Sequence, residues 1–175
     1  MIPLKFKNIK RMRKVMGDDI ELMIDSNHAY TLREAVSLCK KIEPYNISWF
    51  EEPISPEYYQ QYNELRDKTS IPISGGECEY LRFGFNQLIK NKSVDIIQPD
   101  ICASGGLTEA KRIAALASTN GIDFILHTRT INPLVARGGL PKKRPPGQII
   151  RNHANACPHW HCRLCAHTVG HNIDK

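Results

Sequence analysis

Five short apolar runs each end in a side chain that can ionise, and they recur at a near-constant interval. Asp25 closes IELMID, Glu51 closes ISWFE, Glu77 closes IPISGGE, Asp100 closes VDIIQPD and His127 closes IDFILH. The separations are 26, 26, 23 and 27 residues. Carboxylates crowded together repel one another unless a cation sits among them. An all-oxygen set with room left for water or substrate suits Mg2+, so Asp25, Glu51 and Glu77 are candidate Mg2+ ligands. Such an ion can hold a substrate carboxylate and stabilise the dianion formed when its α-proton leaves. Asp100 and His127 form a second candidate pair. A carboxylate hydrogen-bonded to one imidazole nitrogen fixes the tautomer and raises the basicity of the other. His127 then becomes a general acid or base.

That chemistry requires elements that bring five distant residues together. A strand, a loop, a helix and a return loop fill about 25 residues, so each interval reads as one βα unit. If the runs are parallel strands of one sheet, their C-terminal ends share one edge, where α/β enzymes place their sites. The intervening segments support this. Residues 4–16 recur at helical spacing through Leu4, Ile9, Met12, Val15 and Met16. Thr31 and Glu34 form a T-x-x-E capping box before LREAVSLCKKI. Pro56 is expected in the first turn of PEYYQQYNELRDK. FGFNQLIKN gives a further helix, and LTEAKRIAALASTNG opens after Gly105-Gly106 and ends at Gly121.

Beyond about residue 132 the rhythm stops. Residues 133–175 carry seven Lys/Arg against a single Asp, so the formal net charge of +6 belongs to this tail and residues 1–132 are neutral. The basic balance therefore argues neither for nucleic acid nor for a membrane surface. Two readings of the tail stand: a small zinc module on Cys162-x-x-Cys165 with His167 and His171, or an irregular, disordered or out-of-frame segment. The near absence of regular pattern around it favours the second. Cys39, Cys78 and Cys102 read as buried or site-lining reduced thiols. The basic opening MIPLKFKNIKRMRK is not followed by the apolar stretch of a signal peptide, and no run approaches a membrane span. A reducing cytoplasm is the expected compartment.

DSN at 25–27, WFEEP at 49–53, GGE at 75–77, QPD at 98–100, SGG at 104–106 and HT at 127–128 together resemble the enolase superfamily. Within it they look like the mandelate racemase branch and its acid-sugar dehydratases. The resemblance covers about residues 10–130. It implies Asp25, Glu51 and Glu77 as Mg2+ ligands, Asp100 and His127 as the paired dyad, and Asn27 as a substrate-lining residue. It also implies a sugar-acid substrate and a homo-oligomer. Muconate-lactonizing members are expected to carry a lysine at the end of the sixth strand; Asp100 stands there instead.

Two departures from the family pattern shape the expectation. A Lys-x-Lys pair belongs at the end of the strand before Asp25, roughly 30 residues upstream. Lys5 and Lys7 have that form, but they lie 20 and 18 residues before Asp25 and within a helical pattern. The N-terminal capping domain and a final acid-bearing strand have no counterpart. The fold class expected is α/β: a partial TIM-type barrel of about five parallel strands with flanking helices over residues 1–132, followed by the irregular tail. The expected activity is Mg2+-dependent proton abstraction α to a carboxylate, with loss of the β-hydroxyl as water. A racemase or epimerase of the same branch is the near alternative, and a non-catalytic fragment serving as an interaction module is the distant one. Five strands of an eight-stranded barrel leave two open edges, so the chain alone is expected to be a poor catalyst.

Overall fold

The computed structural model describes residues 2–127, with side chains from Phe6 onward. The tail at 133–175, with its candidate zinc module, lies outside the described residues. Within them, five parallel strands stand in chain order in one sheet. They are β1 (Leu22–Asp25), β2 (Ile47–Glu51), β3 (Ile73–Gly75), β4 (Ile96–Ile97) and β5 (Asp123–Phe124). The helices are α1 (Ile2–Met16), α2 (Leu32–Ile42), α3 (Tyr59–Arg66), α4 (Leu81–Lys90) and α5 (Gly106–Thr119). One helix follows each of the first four strands. Sequential order without a reversal is what a sector of a (β/α) barrel requires. No described helix is long and apolar enough to cross a membrane.

Register decides which side chains meet. Ile24 pairs with Phe50 and Phe50 with Ile73, and these three belong to one core with Ala35, Leu38, Cys39 and Ile42 of α2. Those four α2 positions follow i, i+3, i+4, i+7, so one stripe of the helix is buried. Successive strand residues point to opposite faces. The next register pair, Asp25 with Glu51, is therefore turned away from the helix layer. Full burial of Phe50 fixes the register, because a one-residue slip would exchange it with a carboxylate.

Several local signals act as the sequence predicts. The Thr31 side chain accepts from the Glu34 amide while the Glu34 carboxylate accepts from the Thr31 amide, a complete capping box for α2. Lys5 and Lys7 fall within α1. Gly105, at the N-cap of α5, has φ +104°, and a Cβ there would come 2.8 Å from Leu81 Cδ2. One boundary differs. The third helix begins at Tyr59, not at Pro56. The Ser55 carbonyl accepts from the Tyr58 amide, so Pro56 occupies the second position of a turn, which also wants its fixed φ.

Arg13 locks the first strand into place. It is buried near the end of α1, and its guanidinium donates to the carbonyls of Gly17, Ile20, Tyr45 and Asn46 at 2.7–2.8 Å. The turn entering β1 and the turn entering β2 are thus held by one side chain.

Candidate active site

At the C-terminal edge the strand ends deliver Asp25 and Glu51 side by side, through the register of β1 and β2. The Asp25 carboxylate also accepts from the Asn27 amide at 2.9 Å. This closes a tight turn in which Asn27 takes φ +44°, a conformation asparagine tolerates better than most residues. Asn27 itself is exposed at the rim. Glu51 accepts from Gln98 Nε2 at 3.1 Å and more distantly from Trp49 Nε1 at 3.5 Å. Burial, and then the charge of Asp25, push the Glu51 carboxyl up to about 7.

His127 stands between two acids. Its Nδ1 is 3.1 Å from Asp100 Oδ2, and its Nε2 is 2.6 Å from Glu77 Oε2. The backbone prepares this contact: β4 and β5 are only two residues long, but an isolated parallel bridge joins Asp100 to His127 beyond them. Burial opposes a charge on the imidazole. The hydrogen bond and charge of Glu77, with Asp100 behind them, outweigh it and push His127 up to about 9. Burial likewise works against the Asp100 carboxylate. The hydrogen bond from His127 and the amides of Cys102 and Ala103 outweigh that and hold Asp100 below the usual carboxylate range.

Ligand-capable atoms of Glu51, Glu77 and His127 all lie within 4.8 Å of one another. Asp25 adjoins this group through Glu51 without entering it at that distance. The Glu77 carboxylate meets the imidazole at 2.6 Å while staying within 4.8 Å of Glu51. A half-buried Glu51 raised by burial and then by the Asp25 carboxylate is a group that a bound cation would relieve. Three hard oxygen donors on adjacent strand ends fit a divalent Mg2+. The sequence reading assigned every one of these residues except Gln98. It sits inside the quoted QPD motif, is buried, and is the side-chain amide that faces Glu51. Its position two residues before Asp100 is a signal that could have found it.

A cavity of about 450 Å3 lies at the other end of the sheet. Glu21, Trp49, Arg66, Asp95 and Asp123 line it, near the strand starts. None of the five strand-end residues contributes to it, so it is separate from the chemistry.

A family model described as Enolase C-terminal domain-like matches residues 4–137. Among curated relatives, the D-galactarolactone cycloisomerase of Agrobacterium fabrum is 41% identical over 119 residues, covering 68% of this chain and 32% of that protein. Among solved structures, the 3,6-anhydro-D-galactonate cycloisomerase from Zobellia galactanivorans is 48% identical. It has a TM-score of 0.71 and covers 76% of this chain and 45% of that one. The L-talarate dehydratase from Polaromonas sp. JS666, solved with Mg and L-glucarate, is 27% identical with a TM-score of 0.75, covering 81% and 40%. The chain thus spans about a third of the length of the curated relative it matches.

Proposed function

The chain belongs to the enolase C-terminal domain-like family, among mandelate racemase-like proteins and acid-sugar dehydratases, and we propose that its strand ends serve proton transfer α to the carboxylate of an acid sugar. The observation that carries the reading is His127 held between Asp100 and Glu77 at the same edge as Glu51. Asp25, Glu51 and Glu77 would hold Mg2+. Bound there, the ion would grip the substrate carboxylate and lower the energy of the charge left by proton loss.

The chain's own groups account for one of the two proton transfers. Asp100 accepts from Nδ1, which leaves Nε2 as the working nitrogen of His127. The Asp100 carboxylate at Nδ1 favours the protonated imidazole, and a protonated imidazole can act as an acid. It would deliver the Nε2 proton to the β-oxygen as the C–O bond breaks. Loss of a β-hydroxyl in this way releases water and leaves a 2-keto-3-deoxy acid. Gln98 would keep the Glu51 carboxylate oriented. Asn27, exposed at the rim, is placed to meet a polar substrate group.

A second reading is favoured by identity. The two cycloisomerases are 41% and 48% identical to this chain, against 31–34% for curated acid-sugar dehydratases and 27% for the dehydratase structure. In a 3,6-anhydro acid the β-oxygen belongs to a ring. Cleaving that C–O bond opens the ring, keeps every atom and is an isomerisation. The same His127 proton would serve either leaving oxygen.

The test is a barrel of the Zobellia enzyme in which residues 4–127 replace the matching segment, assayed with Mg2+ on acid sugars and anhydro acid sugars. Turnover that His127→Asn removes would support the reading, and the preferred substrate separates loss of water from ring opening. A folded chimaera that turns over normally with His127→Asn would reject the role given to His127.

A further inference from the structure

A second cluster lies on the same edge, displaced by one residue along two of the same loops. His28 follows β1, Glu52 follows β2 and Cys78 follows β3, and one ligand-capable atom of each lies within 4.8 Å of the others. None of the three takes part in the proton chemistry above.

Glu52 is the anomaly. It is 2% exposed, which is rare for a carboxylate without full compensation. Its Oε2 meets His28 Nε2 and the Gly76 amide lies near the carboxylate, while its Oε1 makes no well-formed hydrogen bond among the described residues.

The geometry separates two uses of a Cys, a His and a Glu. A nucleophile relay uses both ring nitrogens, one toward the thiol and the other toward the carboxylate. Here one nitrogen faces both: His28 Nε2 contacts Glu52 Oε2 and lies 4.0 Å from Cys78 Sγ. Sulfur, nitrogen and oxygen therefore converge on a single point, as ligands around an ion do. The loops are tied so as to keep them there. The His28 amide donates to the Glu52 carbonyl at 2.8 Å, and the Ser26 hydroxyl donates to it at 3.1 Å. His28 and Glu52 hold φ of +62° and +37°, conformations that cost a non-glycine residue about 1 kcal/mol or more.

We propose that His28, Glu52 and Cys78 form a second metal site, selective for Zn2+ or a similar borderline transition ion over Mg2+. Thiolate and imidazole are the softer donors that favour such ions, whereas Mg2+ prefers oxygen alone. Three protein ligands with an exposed Cys78 leave a fourth position for water or a small ligand. The ion would satisfy the buried carboxylate as the imidazole contact alone does not. Two cation sites would then sit side by side: one of hard oxygens on the strand ends, one of mixed donors in the loops.

Co2+ titration of the full chain under reducing conditions tests this, read by the thiolate-to-metal charge-transfer absorption. The three tail cysteines can contribute a band of their own, so the titration is made in the Cys157→Ser/Cys162→Ser/Cys165→Ser background. A charge-transfer band is expected there, lost in Cys78→Ser, kept in Glu51→Gln, and shifted more than about tenfold to weaker binding by His28→Ala and by the near-isosteric Glu52→Gln. No band in that background, or a band that survives Cys78→Ser, would overturn the proposal. A readout without variants covers loss of folding. Zn2+ should slow alkylation of Cys78 in the unaltered chain, mapped by mass spectrometry, and Mg2+ should not. Unchanged alkylation at saturating Zn2+ would equally overturn it.

Discussion

Glu51 and Glu52 are consecutive, yet they enter different neighbourhoods. Glu51 ends β2 in register with Asp25, half-buried, and joins Glu77 and His127. Glu52 lies one residue past the strand at φ +37°, fully buried, and turns to His28 and Cys78. The first group is built by regular structure, since strand pleat and register alone bring its members together. The second is built by loops, and depends on left-handed backbone and on hydrogen bonds between one loop and the next. A barrel edge therefore holds two layers of chemistry with different origins. The strand-end layer should tolerate loop changes, and the loop layer should not.

The largest effect should come from His127. In the rebuilt barrel, His127→Asn is expected to lower turnover by about 10^2–10^4 while changing KM far less, because the lost proton transfer belongs to the transition state. A comparable rise in KM with turnover preserved would make His127 a binding residue and remove the functional difference between the layers.

Gly76 tests whether the layers share a hinge. It precedes Glu77 and Cys78, has φ +121°, and a Cβ there would come 2.9 Å from the Phe85 ring. Gly76→Ala should destabilise the chain by about 3–5 kcal/mol, from backbone strain and overpacking together, as read by urea unfolding. It should weaken Mg2+ and Co2+ binding in parallel. Loss of one with retention of the other would mean that Glu77 and Cys78 are held independently.

These two layers differ in how far the sequence exposes them. The strand-end residues were legible because a period of about 26 residues and a closing acid repeat together, and a capping box or a glycine pair marks the helix start after two of the strands. Five strands, their parallel order and the pairing of Asp100 with His127 followed from that pattern. Pro56 misled because a turn and a helix start ask the same φ of proline. Glu52 read as the second letter of WFEEP, since neither its burial nor the inward turn of its side chain has a periodic signature. His28 sits in a loop whose left-handed backbone comes from hydrogen bonds to Glu52 and Asp25, residues that pattern reading treats separately. Gln98 was hidden by the acid two residues after it in QPD.

The pH dependence sharpens the comparison from the strand-end side. In the metal-free chain Glu51 is held up at about 7, whereas an unfolded glutamate titrates at about 4.3. The folded state favours the protonated form, so this stabilisation is complete below about pH 4 and is lost as the pH rises through about 7. His127, raised to about 9, acts over a later window, its contribution complete below about pH 6.5 and lost as the pH passes about 9. Asp100, held low, contributes in the opposite sense, and that contribution is lost in acid. Glu51→Gln removes the first window and trims the second, because the Glu51 charge helps to hold His127 up. It should gain on the order of 2–3 kcal/mol relative to the parent chain between pH 4 and pH 8, as read from urea midpoints in EDTA. A difference that does not change with pH would mean that Asp25 and burial do not act on Glu51 as its position implies.

The smallest effect is expected at Thr31, three residues from His28. Its side chain accepts from the Glu34 amide, and Glu34 returns a hydrogen bond to the Thr31 amide. Thr31→Ala removes the first of these and should lower stability by about 1 kcal/mol, as a shift in the urea midpoint without a change in slope. The loop that carries His28 is tied differently. Its amides donate to the Glu52 carbonyl, to the Asp25 carboxylate and, through Tyr30, to the Pro53 carbonyl. None of those bonds passes through the cap of α2. Co2+ affinity in the tail-substituted background should therefore stay within about twofold of the parent. A tenfold loss would show that α2, and not the neighbouring loops, positions His28. The loop layer would then rest on regular structure as the strand-end layer does, and the contrast between Glu51 and Glu52 would reduce to the direction of one side chain.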